Sequence, residues 1–288
     1  MADLQGATHR PESRLTAALH HIALRTPDPG RLADFYEQAL GYAFDKGDLE
    51  YVGKAPDRRV ILTPGAGKTL SHIGFAVSDE AELASLRARL STAAWPRRDG
   101  ATRFFEDAVS ITDPDGNVVE FGLAPPEPER RSVAQDLPAR IQHVVVASRN
   151  PEGLIEFYIQ VLGFALSDNV TDEDGGLRTS FLRCSRDHHS FAVFKAAENR
   201  LDHHCYETTD WNMIRDWCDR MAAMHVPIAW GPGRHGPGNN LFIFIHDPDG
   251  NWVELSAELE QVEPDRPVGV WPHAQRTLNS WGQGLLRS

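Results

Sequence analysis

Two stretches of the chain carry the same helical spacing of apolar residues. Leu32, Phe35, Tyr36, Ala39 and Leu40 fall at i, i+3, i+4, i+7 and i+8, one face of a helix, and Gly41 stops it. Leu154, Phe157, Tyr158, Val161 and Leu162 repeat the spacing ahead of Gly163. Before each helix, a short apolar run around His21 or His143 predicts a strand. Further strands are predicted at Arg59–Leu62, Thr179–Arg183 and Ser190–Phe194, and further helices at Glu80–Leu90 and Trp211–Met224. The dipeptides Asp115-Gly116 and Asp249-Gly250 turn the last hairpin of each series.

The series are copies of each other. Leu19–Leu24 returns as Ile141–Val146, and Phe35-Tyr36 as Phe157-Tyr158, at an offset of 122. Ser71–Gly74 aligns with His203–Tyr206 at 132, and Asp113–Glu120 with Asp247–Glu254 at 134. Insertions between matching blocks fall in loops. The expectation is an α+β fold of tandem βαβββ modules, four in all, paired into two similar domains at 17–124 and 139–258. Residues 1–16 form an N-terminal arm, and the proline-rich, charged stretch 125–138 is the linker. Residues 259–288, with Trp271 and Trp281, form a tail packed on the body.

Composition narrows the function. The 288 residues carry 29 Lys and Arg against 41 Asp and Glu, a net charge of −12. That balance argues against nucleic acid or an anionic membrane as a partner. Mean hydropathy is −0.40, and no apolar run approaches the roughly 18 residues of a membrane span. Met1–Arg14 is polar, with no signal-peptide core. The three cysteines show no C-x-x-C spacing, so neither a disulfide framework nor a thiolate metal site is expected, and the expected compartment is the cytoplasm.

The chemistry concentrates in histidines and a glutamate. If the paired modules curl into an open barrel, inward side chains from their first and last strands converge. In the second half these are His143, His204 and Glu254. Two imidazoles and a carboxylate on one side of an ion leave about three positions open, and the donor set suits Fe(II) or Mn(II), with Zn(II) possible. Adjacent strand residues face opposite ways; alignment of the halves selects His204 over His203 and His21 over His20, and turns Cys205 away. The first half carries its own set, His21, His72 and Glu120, which would be a second metal site. The loop Gly231–Gly238 lacks the Lys-Ser/Thr of a phosphate cradle and reads as a rigid presenter of His235, with Arg234 either pairing a substrate anion or bracing an acid. Asp113 and Asp247 are accounted for by turn chemistry. His9 and His273, in terminal segments, carry no assigned role.

These residues resemble the vicinal-oxygen-chelate (glyoxalase/dioxygenase-like) superfamily and, within it, the two-domain type I extradiol dioxygenases that open catechols beside the diol. The resemblance covers about residues 17–258. His188-His189-Ser190, His204, Gly233-Arg234-His235 and Glu254 follow the family's order of motifs. It implies an Fe(II) centre, alternatively Mn(II), with O2 as co-substrate, a small aromatic diol as substrate, His189 as acid–base, His235 on the substrate side, and a homo-oligomer. It also implies that the first domain is usually without metal. The chain departs from the family at Phe244, where a tyrosine hydroxyl normally reaches the substrate; His246, two residues on, could share that face. The alternatives are another metal-dependent member of the superfamily, an isomerase, lyase or thiol transferase, or a non-enzymatic small-molecule binder.

Overall fold

A computed structural model describes residues 14–126 and 137–285. Most of the expected N-terminal arm, with His9, and most of the linker lie outside the described residues. The first half runs β1 (Ala17–Thr26), α1 (Pro29–Leu40), β2 (Ala43–Lys46), β3 (Tyr51–Ala55), β4 (Arg58–Pro64), β5 (Thr69–Val77), α2 (Glu80–Thr92), β6 (Arg97–Gly100), β7 (Ala108–Thr112) and β8 (Val118–Gly122). The second begins β9 (Arg140–Ser148), α3 (Pro151–Phe157), a π-helical turn (Tyr158–Leu162), β10 (Ala165–Thr171), β11 (Leu177–Arg183) and β12 (Phe191–Lys195). It continues β13 (Arg200–Thr208), α4 (Trp211–Ala223), β14 (Trp230–Arg234), β15 (Leu241–His246) and β16 (Trp252–Ala257), then β17 (Gly269–Pro272) and α5 (Gln275–Leu278).

Each half is one mixed sheet. The orders are β2-β3-β4-β1-β5-β8-β7-β6 and β14-β15-β16-β13-β9-β12-β11-β10-β17. The antiparallel pair β1·β5, or β9·β13, joins the two modules of a half, and the last strand of each half lies parallel beside β5 or β13. The strands that carry the candidate site residues are therefore neighbours.

Helices α1 to α4 start on Asp28, Asp79, Asn150 and Asp210, whose side chains accept backbone N–H groups of the first turn. Gly41 and Gly163 close the first helix of each half in left-handed backbone, φ 69° and 88°. One core spans both halves. Phe75 packs on Phe164 at 5.5 Å between ring centroids, and the Tyr42 hydroxyl donates to that of Tyr206 at 3.0 Å. The buried Arg58 guanidinium donates to the carbonyls of Leu40 and Ala139.

The first strand of every module bulges just before its site histidine. The pairing of β1 with β5 skips His20 and Ser71, and that of β9 with β13 skips Gln142 and Asp202. An extra residue at such a point breaks strict alternation and lets two consecutive side chains reach the same neighbourhood. The tail adds β17 as an edge strand, parallel to β10, and α5 beyond it.

Candidate active site

β9, β13 and β16 bring His143, His203 and Glu254 to one point. His143 Nε2 lies 3.1 Å from Glu254 Oε2, and His203 Nε2 lies 3.3 Å from each of those atoms. All three side chains are buried. Ligand atoms about 2.1 Å from a common ion at right angles stand about 3 Å apart, so this triangle fits one face of an octahedral centre. Each histidine has its other nitrogen fixed by the bulged residue before it: His143 Nδ1 by the Gln142 amide oxygen, His203 Nδ1 by Asp202 Oδ1 at 2.7 Å. Asn240 Nδ2 donates to Glu254 Oε1 at 3.1 Å. Such partners orient ligands and leave both Nε2 atoms turned inward. Burial raises a carboxyl, but His143, His203 and His235 outweigh it and hold Glu254 well below the usual carboxylate range. Burial lowers the His143 imidazole, against the opposing pull of Glu254.

The histidine that joins His143 and Glu254 is thus His203, not the expected His204. Cross-strand register explains the correction. His72 stands opposite Ala23 on β1, and His203 opposite Val145 on β9; Gly74 faces His21, and Cys205 faces His143. The true repeat offset here is 131, one less than the sequence alignment suggests. His204 points to the other side of the sheet, where its Nε2 lies 3.0 Å from the Tyr36 hydroxyl of the first half. Burial lowers its pKa to about 3. The same register puts Cys205 on the site's face rather than away from it. His143, Cys205 and Glu254 each offer an atom within 4.8 Å of the others. The His203 nitrogen makes the tighter set, and Cys205 Sγ is engaged with Ser256 Oγ at 3.2 Å.

The triad opens into a chamber with aromatic and aliphatic walls, among them Val145, Phe181, Phe194, Trp230, Phe244, Leu278 and Leu285. His189 and His235 line it. The His189 ring stands 4.4 Å from that of His143, and burial holds its pKa well below an ordinary imidazole. His188 lies behind it, Nδ1 to Nδ1 at 3.1 Å, with its Nε2 3.1 Å from Asp168 Oδ2. Although burial raises the Asp168 carboxyl, His188, Arg266 and the Trp271 indole N–H bring it down to about 2. His235 stacks on Phe242 at 3.9 Å and places Nδ1 2.5 Å from the Leu278 carbonyl.

Phe244 is part of the wall, stacked on Trp230 at 5.2 Å. Two expected substrate contacts fall outside the chamber. Arg234 braces Glu258 at 2.7 Å and donates to the Asn239 carbonyl. His246 is exposed and packs on Trp252 at 4.2 Å. Sequence reasoning missed Gln142, Asp202, Asn240 and Asp168 as partners of site residues, and His273, Leu278 and Leu285 of the tail as chamber lining. The acidic residue directly before His203 was the one available signal.

In the first half, His21 Nε2 lies 3.1 Å from His72 Nε2, and Glu120 Oε2 lies 3.9 and 4.0 Å from the two. His20 does not turn outward: as the bulged residue it sets its Nδ1 2.9 Å from that of His21. The Asp113 and Asp247 turns hold more than themselves. Tyr158 of the second half donates to Asp113 at 3.2 Å, and Tyr36 of the first to Asp247 at 3.3 Å.

The fold and the histidine–carboxylate centre define a class. Residues 18–121 and 140–255 both match the family described as the Glyoxalase/Bleomycin resistance protein/Dioxygenase superfamily. The chain belongs to that superfamily. Among its relatives, metapyrocatechase 2 of Cupriavidus necator is 26% identical, over 98% of this chain and 94% of its own length. The iron-dependent extradiol dioxygenase of Rhodococcus jostii RHA1 is also 26% identical, over 89% and 96%. Among solved structures, homoprotocatechuate 2,3-dioxygenase from Arthrobacter globiformis superposes with a TM-score of 0.82 at 22% identity, covering 96% of this chain and 92% of that one. Among the described residues no helix is long and apolar enough to cross a membrane.

Proposed function

We propose that His143, His203 and Glu254 hold an Fe(II) ion at which this protein, an extradiol ring-cleaving dioxygenase, brings O2 to a catechol. The carrying observation is the convergence of His143 Nε2, His203 Nε2 and Glu254 Oε2 within 3.3 Å at the wall of an aromatic chamber. Mn(II) suits the same donors. When bound, the ion templates diol and O2 and supplies the electronic route between them.

The chain's own residues handle protons and placement. The Asp168 carboxylate, 3.1 Å from His188 Nε2, favours the hydrogen on that nitrogen by its charge, so His188 Nδ1 accepts. His189 Nδ1 then donates to it, leaving His189 Nε2 as a free base on the chamber side. His189 takes a proton from the incoming diol and returns it later. The Leu278 carbonyl accepts from Nδ1–H of His235, whose Nε2 lies 3.7 Å from Glu254 Oε1, beside the metal position, where it meets a substrate oxygen. Leu278 and Leu285 add apolar wall to the chamber.

The walls favour a catechol with an apolar substituent over one with a carboxylate. Phe244 contributes a ring without a hydroxyl, and Arg200 at the rim already faces Asp202 at 3.2 Å. The test is anaerobic loading with Fe(II), followed by a panel of alkyl-, aryl- and carboxyl-substituted catechols with O2 uptake recorded. A yellow ring-opened product is expected, with kcat/KM at least about tenfold higher for the apolar substrates. Turnover that consumes no O2 would overturn the reading.

A further inference from the structure

We propose that the first half holds a second divalent metal ion, bound by His21, His72 and Glu120. This site is independent of the dioxygenase centre.

Register gives the first reason. His21, His72 and Glu120 occupy the positions of His143, His203 and Glu254 residue for residue. His21 and Glu120 both stand opposite Gly74, as His143 and Glu254 both stand opposite Cys205. The two nitrogens are 3.1 Å apart, the spacing of adjacent ligands on one ion.

The supporting contact is repeated as well. The bulged residue before the histidine, His20, engages His21 Nδ1 as Gln142 engages His143 Nδ1, and Nε2 is left facing the cluster. Gly74 makes room: a Cβ there would lie 1.9 Å from His21 Cε1, so the ring rests directly on the strand.

Glu120 gives the second, separate reason. It is 6% exposed, and its Oε2 is buried with no hydrogen-bond partner, yet is directed at both histidines from 3.9 and 4.0 Å. An N–H···N bond between the rings would satisfy His21 and His72 but leave that oxygen unanswered, and a buried carboxylate oxygen needs a donor or a cation. A cation between the three groups satisfies all of them, and a rotation of the carboxylate closes the last ångström.

The surroundings differ from the second half in a way that fixes the ion's role. Phe104 stands 4.7 Å from the His21 ring and Phe105 5.0 Å from that of His20, where the second half opens into its chamber. His72 alone is partly exposed. The site admits an ion but no aromatic diol beside it, so the metal is structural. Two imidazoles and a carboxylate suit Zn(II), Fe(II) or Co(II).

Cobalt(II) serves as the probe. Full-length protein is stripped with chelator, titrated anaerobically, and followed by its visible absorption and by bound cobalt after gel filtration. The wild type is expected to take about two equivalents per chain, and Glu120→Gln and Glu254→Gln about one each. Glu120→Gln keeps the side-chain volume; His72→Ala is the second variant, with circular dichroism checking that both are folded. Saturation of the wild type at one equivalent that disappears only in Glu254→Gln would overturn the proposal. One equivalent that disappears only in Glu120→Gln would instead overturn the dioxygenase centre and leave this site standing.

Discussion

Two adjacent histidines on β13 have opposite duties, and substitution separates them. His203→Ala removes a ligand atom and should leave the second half without iron, with ring cleavage reduced at least about 10³-fold. His204→Ala should keep its iron, measured by elemental analysis, and lose about 1–3 kcal/mol in urea unfolding, because the buried Tyr36 hydroxyl loses a partner. Iron lost from the second variant and kept in the first would reverse the assignment. In the proposed mechanism Asp168, 3.1 Å from His188 Nε2, positions His189 through His188. His189→Phe should lower kcat about 10²–10⁴-fold and Asp168→Asn about 10–100-fold, with KM little changed. The double variant should be no slower than His189→Phe alone, since both remove one proton path; an additive loss in steady-state kinetics would show that Asp168 acts elsewhere. His143 and Glu254, reached from the repeat, and His189 and His235, implied by the family resemblance, all border the chamber. The choice between His203 and His204 was not legible in the sequence, because both faces of β13 are buried and hydropathy there does not distinguish inside from outside.

At the scale of elements, helical spacing and turn dipeptides were enough to place α1, α2, α4 and the closing hairpins to within a few residues. The four bulges were not legible, because a bulge leaves no mark in composition and only shifts which neighbour each side chain meets. The turn after β15 carries a testable charge. Burial raises the Asp247 carboxyl to about 6, against about 3.9 in an unfolded chain. The folded state therefore holds the proton more tightly. Its contribution to stability is present in full below about pH 4, falls as pH rises towards 6, and is lost above that. The span is on the order of 3 kcal/mol. Asp247→Asn does not titrate, so its stability relative to the wild type should improve by about that amount between pH 4 and pH 7 in urea denaturation. A pH-independent difference would show that Asp247 is not raised.

At the scale of the whole molecule, the tail completes the chamber. Trp271 donates to Asp168 at 2.7 Å, the Leu278 carbonyl meets His235, and Leu278 and Leu285 form part of the wall. A chain ending at 266 should retain its iron while KM for the diol rises at least about tenfold, read from initial rates; an unchanged KM would mean the tail has no part in binding. The sequence showed only two tryptophans there, with no period to predict β17, which contains Trp271. The other whole-molecule feature is reciprocity. Tyr36 reaches into the second half's turn and Tyr158 into the first half's, while Arg31 meets Asp249 at 2.7 Å and Asn199 meets the Asp115 carbonyl at 3.4 Å. Each half thus supplies the missing closure of its sibling, as two subunits related by a dyad would. Severed within 127–136 and produced as separate polypeptides, the pieces should seek each other out and rebuild a working particle, whereas either one alone would bare the face its counterpart normally hides.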